Sequence, residues 1–382
     1  MATIIQPRIA AVVIVAFTIG ATNAQAQTSL TSPFQSEIAD PVCTLPVTLD
    51  DVGTYILPDR GAVGKSGAIT STINVTYIDD DAGDPWPAAA KTAFDFAKGI
   101  WEQTVTSSVA IDVEAHWADL GGCTGMSISL GSAGANRRWR GGTLPIADTW
   151  YPDPLADALA GADICSLVMP PCTGDPDIIA NFNKDCDEMG SSVTWYFGTD
   201  GSPGVGETDF VSVVLHEVGH GLGFFGAGNV SAGLGTVQTG APPDPIIYDR
   251  FTEDGFDNNL LNDFMDSSAG LAAALLGDSS GVFFDGTNAN AANAGSPPRL
   301  YAPNPWEGGS SYSHLNEATF NGTTNALMTP QLSSMEAVHV IGSITCGMFE
   351  DMGWTIAAGN CDVALPVELA SLVALVSEGN VM

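Results

Sequence analysis

The chain has 382 residues, 45% of them hydrophobic, and a formal charge of −33 set by 44 acidic against 11 basic side chains. A surface of that sign repels nucleic acid and anionic membranes, and the apolar content is ample for a sizeable core, which excludes a nucleic-acid binder and a disordered chain. Charged residues at only 14%, with 43 Gly and 23 Pro, imply many turns and long loops rather than charged amphipathic helices.

At the N-terminus a single basic residue, Arg8, precedes an apolar run from Ile9 to Ala21 and a small-residue pattern that ends at Ala26. Residues 1–26 therefore read as a secretory signal peptide, too short to span roughly 30 Å of hydrocarbon. No later segment is long and apolar enough to serve as a membrane anchor. Residues 27–67, rich in Ser, Thr, Pro and Asp without a sustained period, read as a lead-in or pro-segment.

Beyond it, Ile73, Val75 and Tyr77 alternate with polar residues as in a strand, and 87–105 has the spacing of a helix around Phe94, Ile100 and Trp101. A second strand follows. It puts Val109, Ile111, Val113, Ala115 and Trp117 on one face and Asp112, Glu114 and His116 on the other. Met126, Ile128 and Leu130 alternate again, and 177–182 and 192–197 are strand-like. The acid-rich loop 79–84 is a candidate for Ca2+, although it lacks full calcium-loop spacing and solvation is the simpler reading.

A second helix is predicted over 210–221, capped by Thr208 or Asp209 and closed by Gly221 and Gly223. Apolar residues cover most of its circumference, so it is a buried helix whose polar residues need a reason. From 226 the chain turns loop-rich, with short regular pieces at 246–251 and 271–276 and a last helix at Ser343–Met352 stopped by Gly353. The expected fold is α+β: a twisted mixed sheet with helices on one face in an N-terminal subdomain 68–225, an irregular C-terminal subdomain 226–361, and a tail 362–382.

Seven cysteines beyond the signal peptide suit an oxidising, extracellular or periplasmic compartment. Cys346 with Cys361 and Cys165 with Cys172 are the expected pairs, and Cys43 is the expected leftover.

Within the second helix, His216-Glu217-Val218-Gly219-His220 places two imidazoles four residues apart on one face, a spacing from which both reach one zinc ion. Glu217 sits about 100° round the helix, beside the metal rather than on it, where it can accept a proton from water. Two imidazoles and a carboxylate as mere core residues would each need a buried partner.

Through Gly223 this pattern resembles the metzincin zinc metallopeptidases, in which a third histidine follows three residues later. Here that position is Gly226, which has no side chain to offer. The order of helix motif, turn glycine, long insertion, distant His314 and a Met-turn-like Leu327-Met328-Thr329-Pro330 resembles the leishmanolysin-type members. The resemblance implies a metzincin-like fold and a secreted Zn2+-dependent endopeptidase with His216, His220 and His314 as ligands and Glu217 as general base. It also implies polypeptide substrates that pair with an edge strand above the histidine helix, for which 177–182 or 192–197 is the candidate. His116 and His339 read as ordinary surface or loop residues.

Three alternatives stay open: a zincin with a glutamate third ligand, Glu317 or Glu336; a secreted adhesin or binding module on a metallopeptidase scaffold; and latency through Cys43 in the lead-in, weighed against a disulfide of Cys43 with Cys123 or Cys186.

Overall fold

Alternation in the first half of the chain builds its central sheet. Strands Ile73–Asp79, Ile111–Ala118 and Ile178–Asn183 run parallel and side by side, and Gly131–Ala135 closes the sheet as an antiparallel edge. The computed structural model describes residues 34–38, 46–48, 68–80, 83–120, 127–184, 194–278, 280–359 and 361. All of these belong to one compact unit, Ser32–Met382. The fold is α+β.

On strand Ile111–Ala118 the apolar set faces the core and Asp112, Glu114 and His116 face outward, as period two requires. Helix Ala88–Thr104 and helix Phe210–Gly221 lie on the same face of the sheet. Phe182 makes edge contact with Phe94 at 5.6 Å between ring centroids and packs on Phe210 at 5.4 Å. The two helices are joined by the Trp101 indole N–H, which donates to Leu215 O at 3.0 Å, and Trp354 likewise donates to Leu222 O. Both indoles are buried with their one donor satisfied, so each contributes apolar area without an orphaned N–H.

The edge corrects the sequence reading. Residues 177–182 belong to an interior strand, flanked on both sides, while the edge is Gly131–Ala135, whose small residues carry no apolar period. Of 192–197, residues 194–197 are described, and among them Trp195–Tyr196 is strand, paired with Thr208–Asp209 just before the histidine helix.

The second half has little regular structure. Thr252–Asp254, Val282–Phe284 and Arg299–Leu300 form a small antiparallel sheet, and 246–251 is a 3-10 turn at Ile247–Phe251. Helix Ser343–Met352 packs on helix Thr287–Ala292 so closely that a Cβ at Gly347 would fall 2.7 Å from the Ala289 nitrogen. The expected disulfides Cys165–Cys172 and Cys346–Cys361 are both formed. Cys43, Cys123, Cys186, the segment 1–26 and the tail 362–382 lie outside the described residues. Among those described, no helix is long and apolar enough to cross a membrane.

Candidate metal centre

Helix Phe210–Gly221 is buried along its whole length, so its ends must satisfy their backbone groups internally. Asp209 caps the N-terminus: its Oδ2 accepts from the Ser212 N–H at 2.8 Å and the Ser212 hydroxyl at 2.7 Å. At the other end Phe224 N–H donates to Gly219 O at 3.1 Å and Gly223 N–H to His220 O at 3.0 Å. These are the nested bonds of a Schellman turn. Gly223 takes the left-handed position with φ +122°, and a Cβ there would lie 2.9 Å from Pro152 Cγ. The turn aims the Phe224 carbonyl back at His220.

His216, His220 and His314 converge. Their Nε2 atoms form a triangle with sides of 3.0, 3.2 and 3.2 Å. Each Nδ1 donates to a backbone carbonyl at 2.7 Å: His216 to Leu327, His220 to Phe224 and His314 to Ser310. A carbonyl only accepts, so the ring proton sits on Nδ1 and three Nε2 lone pairs point at one another. That arrangement is repulsive unless a cation lies between them. A tetrahedral centre with imidazole bonds of about 2.0–2.1 Å keeps its ligand nitrogens about 3.3–3.4 Å apart, a few tenths of an ångström from the triangle found. The group could therefore hold a metal ion.

Protonation does not relieve the repulsion, because all three rings are buried. Burial lowers His216 to about 4 against the pull of its Leu327 carbonyl. His220 falls well below the ordinary value through burial and then its two imidazole neighbours, and His314 through burial and then His216.

Below the helix lies Met328. The Thr329 N–H donates to Ala326 O at 3.0 Å, closing a four-residue turn over 326–329, one residue earlier than the predicted 327–330. Leu315 N–H donates to Met328 O at 2.8 Å, which ties this turn to the neighbour of His314. A Cβ on Gly219, between the two helix histidines, would fall 2.9 Å from Met328 Sδ. The thioether thus rests against bare backbone, and only glycine leaves room for it.

Glu217 is fully buried and, among the described residues, neither carboxylate oxygen has a hydrogen-bond partner. Burial raises it well above the usual carboxylate range, and the nearby Ala133 peptide N–H works in the other direction without completing a regular bond. A Cβ on Gly131 would stand 3.0 Å from Glu217 Cγ and Oε1. The edge strand and the carboxylate are in contact.

His314 is delivered by a segment that the sequence reading did not anticipate. Two residues before it, Tyr312 is buried with φ +73°, a left-handed conformation unfavourable for a side chain of its size. Its hydroxyl donates to Asp249 Oδ1 at 2.9 Å and shares a 2.8 Å bond with Thr252 Oγ1, and its carbonyl accepts from the Tyr248 hydroxyl at 2.9 Å. Asp249 also accepts the N–H groups of Ile246 at 2.8 Å and of Ala227 at 2.9 Å. One buried carboxylate so fastens the chain leaving the histidine helix to the chain arriving at His314. Burial lifts Asp249 to about 7, opposed by these donors. Partners 63 residues apart left no local signal.

The remaining candidates lie elsewhere. His116 is paired with Asp80 and Glu114, each at 3.0 Å, on the outer side of the sheet. His339 is not a surface residue: it is buried, with Nε2 2.8 Å from Asp209 Oδ2, and so braces the N-cap of the histidine helix. Neither Glu317 nor Glu336 joins the histidine group; the first accepts from Asn321, the second from the Ser333 N–H. In the acid-rich loop, Asp79 accepts the Trp86 N–H and Asp84 faces Lys184. Buried Asp153 and Asp157 and half-buried Asp177 form a separate group with carboxylate oxygens within 4.8 Å of one another. Burial raises all three, Asp157 to about 8 and Asp177 to about 7.

Compared with protein-family models, with curated proteins and with solved structures, the chain matches none.

Proposed function

We propose that the chain is a secreted zinc endopeptidase of the metzincin type, with His216, His220 and His314 as ligands and Glu217 as general base. The observation that carries this reading is the three Nε2 lone pairs aimed at one point, each fixed by a carbonyl behind its ring. Three nitrogen ligands with a carboxylate held outside the set suit a catalytic zinc with an open position better than a closed structural site. When bound, zinc polarises the scissile carbonyl and lowers the pKa of water.

The chain's own groups supply the rest. Glu217, with no competing partner, takes the proton of the attacking water and returns it to the departing amine, which costs the protein no broken hydrogen bond. Burial alone favours its protonated form, and a dication beside it reverses that preference. The edge strand Gly131–Ala135 lies against Glu217 and offers backbone groups to an extended polypeptide, which selects peptides over compact substrates. Two disulfides fit the oxidising compartment that secretion implies.

The test is hydrolysis of an unfolded protein by the zinc-loaded chain and by Glu217→Ala. Loss of hydrolysis in the variant with zinc content unchanged is expected. Equal behaviour of the two, at equal zinc content, refutes the assignment and favours a binding module on the same scaffold.

A further inference from the structure

Polar residues at the start of the histidine helix follow one stripe. Asp209, Ser212 and His216 stand three and then four residues apart, so they share a face over two turns, roughly 10 Å along the axis. All three are buried. Each finds a partner in a single segment, 327–339, which begins in the methionine turn.

The segment is fastened at both ends of the stripe. At one end Leu327 O accepts the His216 Nδ1 proton at 2.7 Å. At the other, Val338 N–H donates to Ser212 Oγ at 2.6 Å and His339 Nε2 lies 2.8 Å from Asp209 Oδ2. Two further bonds continue the seam ahead of the helix: Gly206 N–H donates to Ser334 Oγ at 2.8 Å, and Met335 N–H to Glu207 O at 3.1 Å. Between the two fastenings lies a small cavity lined by Ser212, His216, Leu327 and Val338.

The direction of the His339 bond follows from its acceptor. Asp209 Oδ2 already receives the Ser212 N–H at 2.8 Å and the Ser212 hydroxyl at 2.7 Å, so it is an acceptor and His339 Nε2 is a third donor. The cap is complete without that donor. A carboxylate at a helix N-terminus is favoured by the helix dipole and closes the first turn through the Ser212 N–H alone.

Packing does not call for an imidazole either. The His339 side chain is fully buried, with the Phe96 ring 5.9 Å away between centroids, and among the described residues its Nδ1 has no hydrogen-bond partner. An apolar side chain would fill the space without orphaning a nitrogen. What the histidine supplies and a leucine does not is one bond to Asp209, between residues 130 apart in the chain.

We infer that His339 is a positioning residue for the metal centre. By holding Asp209 it keeps the segment 327–339 in register with the histidine helix, so that the Leu327 carbonyl meets His216 and His216 meets the other two ligands. The inference rests on the zinc-ligand part of the function proposed above, and hydrolysis plays no part in it.

The experiment uses the full chain and three variants. His339→Leu removes the donor and keeps the bulk; its zinc affinity, read by chelator competition, should fall about tenfold, at the low end of the range for groups behind a ligand. The visible absorption bands of its cobalt-substituted form, which report ligand geometry, should shift. His339→Gln restores an N–H of similar reach and should return both readouts close to those of the natural chain. Because His339→Leu also takes a donor from a buried carboxylate, the double variant Asp209→Ser, His339→Leu separates folding from positioning. It keeps a neutral helix cap without the clamp, so its Tm should recover relative to His339→Leu while zinc affinity stays about tenfold low.

Zinc affinity and a cobalt spectrum in the double variant equal to those of the natural chain would overturn the inference and leave His339 a purely structural residue. A His339→Gln variant no better than His339→Leu in both readouts would also overturn it. Absence of hydrolysis by the zinc-loaded natural chain would sink the peptidase reading alone, since neither readout uses a substrate; a natural chain that binds no zinc would sink both.

Discussion

Replacing Tyr312 by Phe isolates the device that presents His314. The ring stays, so the aromatic contacts with Tyr248 at 5.6 Å between centroids are kept, and only the hydroxyl is lost. That hydroxyl makes two buried bonds, to Asp249 and to Thr252. A bond to an ionisable group is worth about 1.5–3 kcal/mol and a neutral one about 0.5–1.5 kcal/mol, so the expected loss is about 2–4 kcal/mol. For a unit of this size, about 2 °C per kcal/mol gives a fall in Tm of about 4–8 °C.

A second effect distinguishes positioning from stability. Tyr312 holds a left-handed φ of +73°, strain of order 1–3 kcal/mol that its anchors must oppose. With the hydroxyl gone the backbone can relax, and His314 lies only two residues on. Zinc affinity, measured by competition with a chromophoric chelator, should fall about 10–100-fold, the range found when groups behind a metal ligand are removed. A lower Tm with unchanged zinc affinity would show that Asp249 and Tyr312 stabilise the fold without placing His314. An unchanged Tm would refute the hydrogen-bond assignment itself.

Removing the third ligand is a coarser test: His314→Ala should abolish stoichiometric zinc, and full occupancy in that variant would refute His314 as a ligand. Stripping the metal from the natural chain should lower its stability by about 4 kcal/mol if free zinc had stood near 1,000 times Kd, read as a chelator-dependent drop in Tm. Gly131→Ala brings a methyl to 3.0 Å from Glu217 and 3.1 Å from the Asn181 carbonyl. Because the carbonyl belongs to a strand, the carboxylate should give way, with a fall in kcat of about tenfold at constant zinc content. An unchanged kcat would separate Glu217 from the edge strand.

The buried acids make a pH prediction. Folding raises Asp157 from 3.8 to about 8, so the stability from its neutral form is complete below about pH 4 and is lost as pH rises through 8. Asp157→Asn keeps an acceptor for the Ile164 N–H, which now lies 3.0 Å from Oδ1, and has no charge to bury. Its stability relative to the unmodified chain should therefore improve as pH rises from about 4 to about 8 and level off above that. Urea melts at several pH values measure this, and a difference independent of pH would refute the burial of Asp157.

Local physics made the histidine helix legible. The Asp209 cap, the buried circumference, the pair His216 and His220 and the left-handed Gly223 all fall within 15 residues, and each has a direct signature in the chain. His314 was legible in another way: with Gly226 at the short-spacing position and only three other histidines, the Met328 turn chose among them. Met328 has a structural reason that strengthens this, since Gly219 leaves room for its thioether beneath the two rings.

What stayed illegible has one physical character, namely pairing between distant residues that individually look ordinary. Asp249 and Tyr312 are 63 residues apart and His339 and Asp209 are 130 apart. Gly131–Ala135 is built from glycine, serine and alanine, so no apolar period marks it as a strand, and Arg137–Gly141 carries three arginines where strand propensity would place β-branched residues. Both weak strands gain regularity from partners: the first from Ile178–Phe182, the second from the lead-in. The composition that hid the edge strand also fits it for its place, because a side chain at Gly131 would occupy the space that Glu217 needs. The feature least visible in the sequence is thus the one that packs against the carboxylate proposed as general base.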